Sequence, residues 1–386
     1  IQMDLKSVID TRRKGEPDMV LFILIFMLAG IGIAMSYSAS AVYAMKMFKG
    51  DEFYFLRRQL LWFFIGFVAL LIIQEIDYRN YLKYTKVLLL ISFILLIAVF
   101  LPGIGHNVKG SSRWIGFGML SLQPSEFVKI AIVIFLVKVF SSGAKDNMVA
   151  QLLIPVIVVG VMFLLILLQP DFGTAMDILL VSVFILFVSG FPLFYIIGLF
   201  ILSVPMFYLL IYQVDYRKAR VLAYLNPWDD RFGIGYHIIQ SYIAFKKGGI
   251  LGVGLGYGTQ KINRLPEPHT DFIFAVIAEE VGFIGTLFMV ILFGAFLWRG
   301  IKISLHKADE FGKLLAIGLT LMLVIQAIIN IGVVTGSLPT TGIPLPFVSY
   351  GGSSLLSSMI ACGILLNISR YREVVQPDFK QTEEVW

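Results

Sequence analysis

Carboxylates set into an apolar background are the groups of this 386-residue chain best placed to do chemistry. The run from Lys261 to Glu280, KINRLPEPHTDFIFAVIAEE, holds Asp271, Glu279 and Glu280. Pro266 and Pro268 keep the approach extended, because each pre-proline residue is pushed away from helix. Thr270 offers a hydroxyl N-cap, and an apolar helix is predicted from Phe272. Asp271 thus stands where a long polar loop ends and a membrane helix starts. Glu279 and Glu280 follow about two turns, roughly 12 Å, deeper. Acids in an apolar helix are costly in lipid and face a bundle interior or a wet cavity. A carboxylate at such a rim can take a proton. The plainer account makes Asp271 a first-turn acid stabilised by the helix dipole.

Other polar residues interrupt apolar stretches. Glu126 and Lys129 follow Pro124 at a spacing of three and share a helical face, either as structural glue or as the lining of a polar cavity. In QPDFGT (169–174), a hairpin too short to reach far from the membrane, Asp171 is placed to cap the next helix. Asp177 points roughly 120° away from it, so the two acids do not form an obvious pair. His269 is one of four histidines, and no pair has metal-ligand spacing. No Ser–His–Asp or Cys–His arrangement can be assembled. The segment 213–270 is basic and aromatic: Arg217, Lys218 and Arg220 precede Asn226-Pro227-Trp228, and Lys246, Lys247, Lys261 and Arg264 follow. Such cations can meet phosphates of lipid-linked substrates or ordinary anionic lipid. Tyr236 to Phe245 reads as a short helix along the membrane surface. In GVGLGYG (252–258) no βαβ unit surrounds the glycines, which therefore serve a tight turn and a close approach.

The elements that must hold these groups are membrane spans. Hydrophobic residues make up 58% of the chain and charged residues 15%, against about 25% charged in soluble domains. The expected fold is an all-α polytopic membrane protein, a single integral membrane domain over 1–386 with no soluble second domain or repeat. The net charge of +6 serves orientation, and nothing supports a nucleic-acid partner. Cys362, the single cysteine, lies in a span and cannot form an intrachain disulfide. Ile1 and Gln2 precede a Met3 that reads as a natural start.

Ten apolar runs are each close to the roughly 20 residues a bilayer needs: Met19 to Tyr43, then 53–74, 86–102, 124–141, 151–168, 171–190, 192–212, 271–298, 313–334 and 350–369. The first is expected to stay uncleaved, although Ser36 to Ala41 imitates a signal-peptide site. With the N-terminus inside, the cytoplasmic side collects the N-terminal cluster (Lys6, Arg12, Arg13, Lys14) with Arg79, Lys83, Lys86, Lys138, Lys145, Arg299, Lys302, Lys307, Lys313, Arg370 and Arg372. The short outer loops hold only Lys46, Lys49, Arg57, Arg58, Lys109 and Arg113. The positive-inside rule then makes 1–18 and 370–386 cytoplasmic and 213–270, between spans seven and eight, one long extracytoplasmic loop. From Leu314 to Ser369 there is no charged residue, yet TGSLPTTGIPLPFVSYGG (335–352) cannot be one helix. Irregular backbone at membrane depth needs protein or a cavity against it, so this loop is expected to pack into the outer mouth of the bundle.

Several motifs occur together and in order. They are YSASAVYA (37–44), FLRRQLLW (55–62), SRWIGFGMLSLQPSEFVKI (112–130), QPDFGT (169–174) and LNPWDDRFGIGYHIIQS (225–241). GGILGVGLGYGTQK (248–261), LPEPHTDFIFAVIAEEVGFIG (265–285) and PLPFVSYGGSSLL (344–356) complete the series. In these the chain resembles the SEDS family (shape, elongation, division and sporulation; FtsW, RodA and SpoVE). YSASAVYA and the ending LLNISRYR look most like its FtsW and SpoVE branch, and His237 stands where glutamine is expected. The resemblance implies ten transmembrane helices in the bacterial cytoplasmic (inner) membrane. It also implies a peptidoglycan glycosyltransferase polymerising lipid II into β-1,4 glycan on the outer face. The implied partners are a class B penicillin-binding protein, divisome or elongasome components and membrane lipid. By motif, Asp271 matches the aspartate assigned to the family's catalysis, Glu126 and Lys129 its buried acid–base pair, and Arg58 an arginine entering the second span.

On that resemblance Asp271 is the general base, and Arg58, Lys129, Arg217 and Arg220 contact the pyrophosphate of an undecaprenyl-pyrophosphate-linked disaccharide-peptide. Glu126 holds Lys129, and His269 and Asp171 complete the substrate-binding set. No second carboxylate lies beside Asp271, which predicts an inverting transfer with no covalent intermediate. No cofactor or metal site is identified, and a divalent cation stays open. The competing readings are a lipid II flippase and a non-catalytic scaffold for the penicillin-binding protein. Charge gathered on one side, and no counterpart in the first half to Pro205 in the seventh span, favour chemistry over transport.

Overall fold

The computed structural model describes residues 15–108, 111–117, 120–142, 148–262, 264–307 and 309–371. The N-terminal cluster through Lys14, together with Lys109, Lys145 and the tail from Arg372, lies outside the described residues.

Seven long helices come first: α1 (Met19–Met47), α2 (Tyr54–Ile73), α3 (Arg79–Ala98), α4 (Pro124–Ser141), α5 (Met148–Leu168), α6 (Phe172–Val188) and α7 (Leu193–Tyr212). Two short ones, α8 (Asp215–Leu225) and α9 (Gly235–Gly248), lead to α10 (Ile273–Leu305), α11 (Glu310–Val334) and α12 (Gly352–Arg370). Among the described residues, eight helices are long and apolar enough to cross a membrane. The other two expected spans are α4, which carries Glu126, Lys129 and Lys138, and α6, 17 residues long. Helix starts follow the sequence where a cap is present. Asp18 accepts from the Leu21 amide at 2.9 Å, Asp171 caps α6, Asp309 caps α11 through the Gly312 amide at 2.9 Å, and α4 opens on Pro124.

The charge-free stretch is the centre of the molecule. α11 and α12 are the most enclosed spans, and α4 packs against both. α7 buries none of its side chains and lies at the rim of the bundle, with its apolar surface left for lipid. The two described ends of the chain meet, since the Gly15 amide donates to the Arg370 carbonyl at 2.9 Å. Arg299, late in α10, pairs with Asp18 at that same end at 2.6 Å.

Three expectations are revised. The third span begins seven residues earlier than expected, at Arg79, because its first turns carry Lys83 and Lys86 that a hydropathy reading trims off. The all-α bundle is joined by a three-stranded antiparallel sheet between α3 and α4: β1 (Gly105–Val108), β2 (Ser111–Phe117) and β3 (Leu120–Leu122). Residues 215–225 form a helix not foreseen in the loop. The helix foreseen over Tyr236 to Phe245 is present. It is part of α9, which buries Ile238, Ile239, Ser241 and Ala244 and packs against α10. A Cβ on Gly248 would come 1.8 Å from the Ala278 carbonyl, so only glycine permits that approach.

Candidate active site

Asp271 occupies the junction that the sequence indicates, though not with the expected cap. Helix α10 starts at Ile273, its N-cap is Phe272 with no side-chain bond, and the Thr270 hydroxyl turns back to the Glu267 carbonyl at 3.3 Å. What fixes the junction is the loop 335–351. Ser349 Oγ donates to the Thr270 carbonyl at 2.5 Å, and the Tyr350 amide donates to the His269 carbonyl at 2.8 Å. Asn330 of α11 gives its side-chain amide to the carbonyls of Asp271 (2.8 Å) and Ile343 (2.7 Å). The half-buried Asp271 carboxylate faces Gly342, where a Cβ would stand 3.5 Å from Oδ2.

The same loop gathers most of the remaining candidates. Tyr350 packs edge-on to Phe55 and lies 5.7 Å, ring to ring, from the buried His269, which Tyr43 and Phe55 flank at 5.6 and 4.7 Å. Arg58 sits beside the Tyr350 hydroxyl and over the Tyr54 ring at 4.5 Å. Arg220 of α8 donates to the Thr340 carbonyl at 2.9 Å and lies over Tyr216. A Cβ on Gly173, two residues after Asp171, would stand 2.6 Å from the Thr341 carbonyl. The Asp171 carboxylate itself caps α6 and accepts from Gln123 and from Thr174 Oγ1, both at 2.9 Å, with Arg113 at 3.8 Å. Arg217 stays apart from the loop, bonded to the Leu210 carbonyl and set over Phe172 at 5.3 Å.

Below Asp271 lies a charged cluster. Lys129 Nζ meets Glu126 at 3.1 Å, Asp177 at 3.4 Å and Gln326 Oε1 at 2.6 Å, while Ser357 donates to Glu126 at 3.2 Å. Asp177 is fully buried, and the ammonium of Lys129 is the charge that faces it. Gln326 also donates to the Pro344 carbonyl at 2.9 Å. Gln326 and Asn330 are four apart on one face of α11, and together they run from Lys129 up to Asp271 about one turn above. The sequence reading singles out none of Gln326, Asn330 and Ser357, and it weighs Asp177 only against Asp171. Their signal was available: an acid or amide inside an apolar span needs a partner, and partners there are few.

His237 packs against Phe272 with ring centroids 5.6 Å apart. Burial first, and Arg220 second, hold its pKa below the ordinary histidine value. Among the described residues no cluster of three or more His, Cys, Asp or Glu is arranged to hold a metal ion. The arrangement therefore offers a half-buried carboxylate at the end of a helix, a loop that also meets Arg58 and Arg220, and a polar column beneath.

Comparison with known proteins gives a consistent answer. Residues 19–374 match the family model FTSW_RODA_SPOVE, described as cell cycle protein. Stage V sporulation protein E of Bacillus subtilis is 45% identical over 363 residues, covering 94% of this chain and 99% of that protein. A probable peptidoglycan glycosyltransferase FtsW of Geobacter metallireducens is 43% identical, covering 95% and 98%. A solved structure described as structural coordination of polymerization and crosslinking by a peptidoglycan synthase complex superposes with a TM-score of 0.75 at 27% identity, covering 92% of this chain and 99% of that one. The crystal structure of the rod shape determining protein RodA of Thermus thermophilus gives 0.68 at 27% identity, covering 92% and 97%.

Proposed function

The chain belongs to the FtsW/RodA/SpoVE family, and on that premise we propose that it is a peptidoglycan glycosyltransferase. It polymerises lipid II into β-1,4 glycan on the outer face of the bacterial cytoplasmic membrane. The observation that carries this reading is the carboxylate of Asp271 at the head of α10, held against the charge-free loop with Arg58 and Arg220 on the same loop.

In the proposed reaction Asp271 takes the proton from the acceptor sugar's 4-hydroxyl as that oxygen bonds to C1 of the donor. The bond from C1 to the pyrophosphate oxygen breaks, and the electron pair leaves with the lipid pyrophosphate. Arg58 and Arg220, which keep part of their surface open, take up the developing charge. Lys129 is enclosed by Glu126, Asp177 and Gln326, and it supports the site from beneath by fixing α4 to α11. With Asp271 acting as base and no carboxylate acting as nucleophile, C1 inverts from the α-linked donor to a β-linked strand. The partner is a class B penicillin-binding protein, in keeping with the likeness to a peptidoglycan synthase complex.

The test is polymerisation of labelled lipid II by purified protein, with and without that partner. Asp271→Asn is expected to fold and insert normally and to form no polymer. Polymer at the unsubstituted rate from Asp271→Asn removes it as the base. Passage of lipid II between leaflets without any polymer replaces the enzyme reading with transport.

A further inference from the structure

Asp271 stands at the end of a short lever. At Gly282 the backbone (φ 73°, ψ −165°) leaves the helical region and divides α10 into residues 273–281 and 283–305. From Gly282 to Asp271 is roughly 16 Å at helical rise. A rotation of about 4° at the break thus moves the carboxylate by about 1 Å, a displacement able to cost on the order of 100-fold in rate. The joint needs a brace.

The glycine-rich segment supplies it. In an unbroken helix the carbonyls of Glu279 and Glu280 would accept from the amides of Phe283 and Ile284. Here the amides of Val253 and Gly254 take those two carbonyls, both at 3.0 Å. The freed amides of Phe283 and Ile284 donate to Gly249 and Ile250 at 2.9 and 3.2 Å. The side chains of the two glutamates fasten the rest. Glu279 accepts from Thr259 (amide 2.9 Å, hydroxyl 3.0 Å) and from the Gln260 amide at 3.0 Å. Glu280 accepts from the Gly256 amide at 3.1 Å, from Ser38 of α1 at 2.7 Å and from Lys261 Nζ at 2.5 Å. Lys261 is 5% exposed and Glu280 1%. A buried ion pair adds little stability over apolar residues of the same volume, so stability alone does not account for this one.

We propose that the Lys261–Glu280 pair, closed by Ser38, braces the break in α10, and that both are positioning residues for Asp271. The proposal rests on Asp271 as the base. Its test compares Lys261→Met, Glu280→Gln and the double variant Lys261→Met/Glu280→Leu by thermal unfolding, by kcat and KM for lipid II, and by amide hydrogen exchange. Each single variant leaves a buried group without its partner and is expected to lose both stability and kcat. The double variant is expected to regain the melting temperature within a few degrees. Its kcat stays roughly 10-fold or more down with KM nearly unchanged, and the amides of Val253, Gly254, Phe283 and Ile284 exchange faster. A double variant with unsubstituted kcat, or with unchanged exchange at those four amides, overturns the proposal. Asp271→Asn separates the two readings: it is expected to abolish polymer while leaving exchange at the brace as in the unsubstituted protein. If polymerisation proves independent of Asp271, the proposed base fails, and the exchange data still decide whether the pair holds the joint.

Discussion

Lys129 is 3% exposed yet faces two carboxyls and an amide, a density of polar groups that a bundle interior tolerates only when each member holds another. Removing the ammonium in Lys129→Met leaves Glu126 and Asp177 facing one another without it. The expected cost is about 3–5 kcal/mol, read as a clear drop in melting temperature in detergent. A melting temperature unchanged by the substitution contradicts that account. The Glu126–Lys129 half of this cluster was legible because the two residues are three apart on one helix. Asp177 and Gln326 were not, since their pairing depends on which helices touch. His237 gives a second expectation. Its pKa is lowered from 6.5, so the folded chain binds this proton less readily than the unfolded chain does. Stability from the neutral ring is therefore fully present above about 6.5 and falls as pH drops below it. His237→Gln should flatten the fall in melting temperature between about pH 7 and 5.5. An equally steep fall in the variant assigns the pH dependence to other groups.

Glycines show what an element's sequence does and does not reveal. The run 252–258 announced a close approach, and the structure places a Cβ on Gly252 at 2.2 Å from the Glu280 carbonyl with φ at +81°. What it approached stayed hidden, because Gly282 is a lone glycine inside a long apolar pattern and such a residue is ordinarily carried within a helix. Gly252→Ala therefore meets both a clash and a left-handed backbone, and a loss of at least about 1–2 kcal/mol is expected. Gly160 in α5 has nothing within 4 Å of a built Cβ and has ordinary φ. Gly160→Ala should stabilise by about 0.5–1 kcal/mol through helix propensity. Thermal unfolding of the two variants side by side checks the contrast, and equal behaviour would mean that the glycine segment does not occupy the break. The loop 335–351 makes the complementary case. Its prolines and lack of charge foretold irregular, packed backbone, while its role as the hub joining Arg58, Arg220, His269 and Asp271 emerges only from tertiary contacts.

At the scale of the molecule, ten runs of apolar sequence sufficed to anticipate the bundle, since span length is set by the bilayer and not by neighbours. The sheet between α3 and α4 escaped because its strands are short and lie between hydrophobic stretches. Orientation is the remaining large-scale claim, and the chemistry depends on it. Gly15, Arg299 and Arg370 share one end of the bundle, and the Asp271 junction belongs to the opposite end of α10. The bias of lysine and arginine toward the first end predicts that it faces the cytoplasm. Lys246 on α9 and His306 beyond α10 are both exposed, and Cys362 is buried. In a Cys362→Ser background, Lys246→Cys should react with a membrane-impermeant maleimide in intact cells, and His306→Cys only after permeabilisation. The reverse pattern would put Asp271 on the cytoplasmic side. Polymerisation on the outer face would then have no carboxylate to serve it, whatever the activity of the purified protein.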